Sequence, residues 1–303
     1  MATRREHRVA TAAERAAGER EYLQKNGVKT LINSLSGGVD STVSAAISKA
    51  ATPEGTIGLL LPCSPPDELE GERQKDIVDG RRVADHLGIP AVVINLSGLW
   101  EQAVTLYTAA AREMADKRGV PLDEAKLSWA INNLKPTLRM MTAGFFADAF
   151  QGLMMGTDNA IENFLGYFSI RGDGVADRQP IRDCTKGEVR RLAAGAGFPD
   201  DLVGRVPTAG LWPGQTDEGE LGFTYDEADA FLVWLLEKHL ETPVMDEYMT
   251  ITADAIAGIL ADPTLPVAVE SARKIITQNR RTSFKRKSDD LRNLLIRRGL
   301  IQA

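Results

Sequence analysis

Cysteine and histidine are scarce in this chain, and neither forms a pattern. Cys63 and Cys184 are far apart and make no CxxC pair. That leaves no disulfide framework and no thiolate zinc site; both read as small buried hydrophobes. His7, His86 and His239 are too scattered for a His-based metal centre. No apolar run approaches the length of a membrane span. The opening stretch, "MATRREHRVATAAERAAGER", is charged and Ala-rich. It lacks the apolar core of a signal peptide, so it reads as a surface helix of a cytoplasmic protein. A net charge of −6 argues against a general nucleic-acid binder. Internal repeats and long low-complexity linkers are absent too. What is present is ordinary for a globular protein: 43% hydrophobic and 26% charged residues in a chain of 303, long enough to bury a sizeable core.

The patterning alternates. "VKTLINSLS" (28–36), "GTIGLLLPCS" (55–64) and "PAVVINLS" (90–97) read as short buried strands. Between them, 41–51 reads as a helix of small and apolar residues. Residues 70–88 read as an amphipathic helix with Ile77, Val83, Ala84 and Leu87 on one side. Strand, helix, strand, helix, strand predicts an α/β fold, a parallel sheet flanked by helices. Further helices are expected at 100–118, 122–151 and 186–197, with a strand at 152–157 and a helical C-terminal region that ends in a basic cluster at 280–299. One domain is expected over 1–303. The segment 204–224 is dense in Gly and Pro and poor in periodicity, which suits a functional loop. Segments 63–72 and 207–222 are the expected mobile lids.

"INSLSGGVDSTVSAAISKA" (32–50) carries the first chemistry. A strand, a glycine turn and a helix aim backbone N–H groups at an anion. Gly37 and Gly38 allow the tight turn and close approach of phosphate oxygens. Ser34, Ser36 and Ser41 add hydroxyls. Asp40 would be repelled by bare phosphate, so it makes sense as a ligand to Mg²⁺ riding on that phosphate. The Walker pattern, which needs a Lys and a longer spacing, is not met.

"SGGVDS" (36–41) resembles the pyrophosphatase loop of the N-type ATP pyrophosphatases. "GTDNAIENFLGYFSIRGDGVADRQPI" (156–181) resembles the signature of NAD synthetases over its whole length. "NLKPTLRM" (133–140), "CTKGEV" (184–189) and "PTAGLWPGQTDEGELGFTYDEAD" (207–229) resemble further blocks of that family in the same order, so the resemblance spans roughly 15–290. It is to the free-standing, ammonia-dependent form, with no glutaminase domain expected. The resemblance implies ATP and Mg²⁺, and a tight homodimer with the second substrate across the interface. It makes Asp40 and Glu162 the metal ligands. Lys186, Thr157 and Thr208 become ATP contacts, with Lys186 also catalytic. Asp173 and Asp177 face the second substrate and the incoming ammonia, where an acid could take a proton from ammonium.

The ATP half of the pattern is intact; the other half departs from it. Thr137 stands where the family has Arg, beside an unchanged Arg139. Ile170 replaces the family's Lys, with Arg171 next to it. Phe284 replaces His, before Lys285. In the family these positions contact the nicotinate dinucleotide. Losing two cations and a hydrogen-bonding ring weakens anion recognition. The favoured expectation is therefore an ATP-dependent, ammonia-using amide synthetase that adenylates a small-molecule carboxylate other than deamido-NAD⁺. The alternative is a true NH₃-dependent NAD⁺ synthetase, with Arg171 and Arg139 standing in. A catalytically silent ATP-binding regulator and a tRNA-thiolating relative are the remaining readings. Intact Asp40, Glu162 and Lys186 argue against the former. The lack of paired cysteines and of a basic surface argues against the latter.

Overall fold

The computed structural model describes residues 10–64, 72–238, 244–246 and 248–286. His7, His239, most of the 63–72 segment and the C-terminal part of the basic cluster lie outside the described residues. Four parallel strands form the sheet, β1 (Thr30–Ser34), β2 (Thr56–Leu60), β3 (Ala91–Val93) and β4 (Gly152–Met155), in the order β3-β2-β1-β4. Period-two alternation sorts their side chains onto two faces. Leu31, Leu60 and Met155 enter one core cluster, while Ile32 and Leu59 enter the other, with Met154 packed against it. Both faces are covered, as the near-continuous apolar strands require.

On the first face lie α1 (Ala12–Asn26), α2 (Val39–Ala51), α3 (Glu72–Leu87) and α7 (Lys186–Gly195). Val83 and Ala84 are buried there, with Ile77 and Leu87 packed alongside, as the amphipathic pattern predicted. Helix α1 is more than a surface helix. It buries Ala16 and Leu23, and its Glu19 holds Arg178 through bonds of 2.8 and 3.1 Å. The opposite face carries α4 (Ser97–Arg118) and α5 (Glu124–Ala149). A separate apolar cluster joins α6 (Ala160–Leu165), α10 (Tyr225–Lys238), α11 (Ala255–Ala261) and α12 (Val269–Arg281).

Boundaries moved where capping overrode composition. Helix α2 starts at Val39, two residues early, because Gly38 is its N-cap. The segment 204–224 is not wholly irregular. Thr216 accepts the Gly219 N–H and caps the short α9 (Asp217–Leu221), which ends at Gly222 in the left-handed region. The other short helix, α8 (Asp200–Val203), follows α7. No helix among the described residues is long and apolar enough to cross a membrane.

Candidate active site

The β1–α2 turn is where the sheet opens. Gly37 has φ +75°, and a Cβ there would stand 2.6 Å from the Asp79 Cβ and 2.9 Å from an Arg205 nitrogen. Only glycine fits. Gly38 has an ordinary φ of −79°, so its conformation does not demand glycine. Ser36 Oγ accepts the Gly38 N–H at 3.2 Å and lies 3.0 Å from Ser41 Oγ, which donates to the Gly38 carbonyl at 2.9 Å.

Three separate segments converge behind this turn. Lys186, first residue of α7, is 2% exposed. Its Nζ donates to Asp40 Oδ2 at 2.6 Å and to Glu162 Oε1 at 3.2 Å, and lies over the Tyr225 ring at 4.4 Å. Asn159 donates to the other Asp40 oxygen at 2.9 Å and caps α6 through the Ile161 and Glu162 N–H groups. Burial favours neutral Lys186, but Asp40 and Glu162 outweigh it and hold the ammonium charged. Burial pushes Glu162 up to about 7, with Lys186 pulling down and Asp40 pushing up. A carboxyl so placed calls for more positive charge. Buried Asp158 and half-buried Asp173 make a second carboxyl pair, both pushed up by desolvation. Gln179 donates to Asp158 at 3.2 Å, and Asp173 accepts the Ser169 N–H at 2.9 Å.

Asp40, Asp158, Glu162, Asp173 and Lys186 line a cavity of about 250 Å³, together with Arg139, Arg205 and Thr208. A second, more apolar cavity of about 520 Å³ adjoins it, walled by Trp129, Met140, Phe168, Trp212, Phe284 and Lys285 among others. Ser34, Ser36, Ser41, Arg139, Thr157, Tyr167, Asp173 and Thr208 line both. The two cavities therefore share a wall.

Most of the expected site residues meet here, and some do not. Asp40, Glu162 and Lys186 line the smaller cavity, and Thr157, Thr208, Asp173, Arg139 and the serines of the turn line the wall it shares with the larger one. Phe284 and Lys285 reach the larger cavity. Lys285 Nζ donates to the Gly166 and Phe168 carbonyls at 3.0 and 2.8 Å. Asp177 does not belong with them. It is exposed and accepts the Met154 N–H at 2.8 Å, outside both linings. Thr137 bonds its own helix turn, donating to the Asn133 carbonyl at 2.9 Å, and lines neither cavity. Ile170, 41% exposed, and Arg171 also lie off both linings.

Sequence reasoning missed Asn159, Asp158, Gln179, Tyr167, Tyr225 and Arg205. Tyr167 and Tyr225 sat inside quoted blocks, but an aromatic residue reads as core until its hydroxyl partners are known. Trp129 and Trp212 also face the larger cavity.

Among the described residues no group of three or more His, Cys, Asp or Glu side chains could hold a metal. Two carboxylates meeting at one ammonium do fit a hard cation that takes its remaining ligands from phosphate and water.

The NAD synthase family profile matches residues 12–288. The NH(3)-dependent NAD(+) synthetase of Carboxydothermus hydrogenoformans is 39% identical over 215 residues, 71% of this chain and 81% of that one. The enzyme of the same description from Methanosarcina mazei is 32% identical over 241 residues, 79% of this chain and 87% of that one. Among solved structures, the NMN synthetase from Francisella tularensis superposes with a TM-score of 0.66 at 25% identity, covering 92% of this chain and 97% of that one. The NH3-dependent NAD synthetase from Campylobacter jejuni shares the fold, with a TM-score of 0.59 at 19% identity over 90% of this chain and 93% of that one.

Proposed function

This chain belongs to the NAD synthase family of ATP-dependent, ammonia-using carbon–nitrogen ligases that form AMP and pyrophosphate, and from that premise we propose that it converts deamido-NAD⁺ to NAD⁺. The relatives favour this carboxylate over the different one suggested by the departures from the family pattern. The placement of two of those departures also favours it, since Thr137 and Ile170 stand off the cavity walls.

The observation that carries the reading is the shared wall. ATP in the smaller cavity would put its α-phosphate beside a carboxylate held in the larger one. The carboxylate attacks the α-phosphorus, and pyrophosphate leaves. Lys186 spends two N–H donors on Asp40 and Glu162; its third is free for a phosphate oxygen. Asp40 and Glu162 would hold Mg²⁺, which supplies charge neutralisation for the leaving pyrophosphate. Thr157 and Thr208 offer hydroxyls on the wall between the substrates. Asp173, on the same wall, takes a proton from ammonium. The ammonia then attacks the acyl-adenylate, and the amide and AMP are formed. A homodimer fits this reading. Helices α4 and α5 expose Leu106, Tyr107, Met114, Met141 and Phe145, and the α5 C-cap Phe150 is exposed too; apolar side chains left in water in this way suit a partner. Sedimentation showing only monomer would exclude it.

A second reading is nicotinate mononucleotide as the carboxylate. The 25% identical neighbour described as an NMN synthetase supports it, as does an apolar Phe284 at the cavity mouth. The test is one assay: ATP, Mg²⁺ and ammonium with either carboxylate, read as amide and AMP. Higher kcat/KM on deamido-NAD⁺ supports the first reading, and higher kcat/KM on the mononucleotide the second. AMP release with neither overturns both.

A further inference from the structure

Behind the carboxylate pair runs a continuous hydrogen-bonded chain that the proposed chemistry does not use. Tyr225, almost wholly buried, places its hydroxyl 3.1 Å from Glu162 Oε1 and 3.0 Å from Asp217 Oδ2. Asp217 lies 3.2 Å from the Tyr167 hydroxyl, which donates to Glu220 at 2.8 Å. Glu220 accepts from Gln215 at 2.9 Å, and Gln215 accepts the Leu211 N–H at 2.8 Å. Asp217 is also the hub of the Gly/Pro-rich segment 207–216. Its N–H donates to the Pro207 carbonyl at 3.1 Å, and its carboxylate accepts the Ala209 N–H. Thr208 and Ala209 line both cavities.

A phenol has one proton to donate, yet Tyr225 stands between two carboxylates. What occupies Glu162 therefore decides which of them it serves. With Glu162 engaged by a cation, Tyr225 is released to Asp217, and the hub that seats Thr208 and Ala209 tightens.

We propose that Tyr225 and Asp217 are positioning residues that couple occupation of the Asp40–Glu162 pair to ordering of the 207–216 segment over the shared wall. The coupling rests on the reading of that pair as the holder of Mg²⁺ and ATP. It requires no residue of the chain to touch substrate beyond those already assigned. Lys135, which donates to the Leu211 carbonyl at 2.6 Å, anchors the far side of the segment, so the hub end is the one left to respond.

The test uses the full chain with Mg²⁺ and α,β-methylene-ATP, an analogue that cannot be cleaved at the α–β bond. Tyr225→Phe removes the hydroxyl and keeps the ring over Lys186. Tyr167→Phe removes the other hydroxyl on Asp217. Titration calorimetry reads affinity, and amide hydrogen exchange reads residues 207–216. In the wild type, the analogue should slow exchange there about tenfold or more. Tyr225→Phe should bind the analogue within about threefold of wild type, lose most of that slowing, and lower kcat with little change in KM for ATP. Tyr167→Phe should show the same pattern more weakly. Unchanged slowing in Tyr225→Phe overturns the coupling alone. So does faster exchange by the same factor with and without the analogue, since that marks a merely structural hydroxyl. Failure of the wild type to bind the analogue overturns the site reading and the coupling with it.

Discussion

The two adjoining cavities are built on opposite principles. In the smaller one the charged side chains already hold one another. Asp40 meets Lys186 and Asn159, Glu162 meets Lys186 and Tyr225, and Asp158 meets Gln179. The larger one offers faces instead: Trp129 is 60% exposed and Phe284 74%. A buried charge costs several kcal/mol unless it is paired, so a cavity lined by charged side chains must be prearranged in full. An apolar wall binds by area and shape, and tolerates exchange of one apolar group for another. Of the departures from the family pattern, Phe284 lines the second cavity, and Thr137 and Ile170 line neither. A change in the second cavity alters affinity by degrees, while a change in the first strands a charge.

The contrast is open to attack, and Lys186→Ala is the hardest blow. It leaves Asp40 and Glu162 facing each other without their ammonium, and should cost about 3–5 kcal/mol of stability. AMP release should fall by roughly a thousandfold. Denaturant unfolding and a coupled AMP assay measure both. Wild-type stability would mean the pair has another cation.

Gly37→Ala comes next. A left-handed backbone and a neighbour at 2.6 Å should cost roughly 1–3 kcal/mol and weaken binding of the ATP analogue. Gly38→Ala, at ordinary φ, should do much less. Equal effects from the two would remove the case for glycine at the turn.

Glu162 sharpens the comparison through pH. Its folded-state pKa of about 7 exceeds the usual 4.5. The neutral acid is therefore favoured in the folded protein. The associated stability is full below pH 4.5 and is lost as pH rises through 7. Ligand-free wild type should lose up to about 3 kcal/mol across that window. Glu162→Gln should lose visibly less, and thermal melts from pH 4.5 to 8 would show it. Parallel pH curves for the two proteins would place the raised group elsewhere.

The smallest effects belong to the second cavity. Trp129→Ala should raise KM for the carboxylate roughly three- to thirtyfold, leaving KM for ATP unchanged. Thr137→Arg and Ile170→Lys, off the cavity walls, should shift it less than about threefold. A larger gain from restoring those cations would mean that a partner subunit brings them to the substrate.

Much of the first cavity was legible in the sequence, because the glycine turn that lines it is local. Ser36 to Ser41 are contiguous, and Gly37, Asp40 and the helix that follows announce themselves. The blocks holding Glu162, Thr157 and Lys186 were legible by resemblance. Asp177 illustrates the limit. It shares a loop with Asp173 and looked equivalent, but four residues of turn carry its carboxylate to the Met154 N–H instead of the cavity. Thr137 illustrates another. On helix α5 its hydroxyl bonds the preceding turn, and helix phase is fixed by packing against the sheet.

By itself, the sequence determined the parallel α/β architecture and the glycine turn between β1 and α2, and resemblance marked Asp40, Glu162 and Lys186 as site residues. Apolar periodicity and turn chemistry are properties of neighbours along the chain. Only the tertiary structure decided that Lys186 sits between Asp40 and Glu162, that two cavities share a wall, and that Tyr225 and Asp217 tie one of them to the 207–216 segment. Those contacts join residues many positions apart. They exist because burial leaves a polar group no partner but the one that folding delivers.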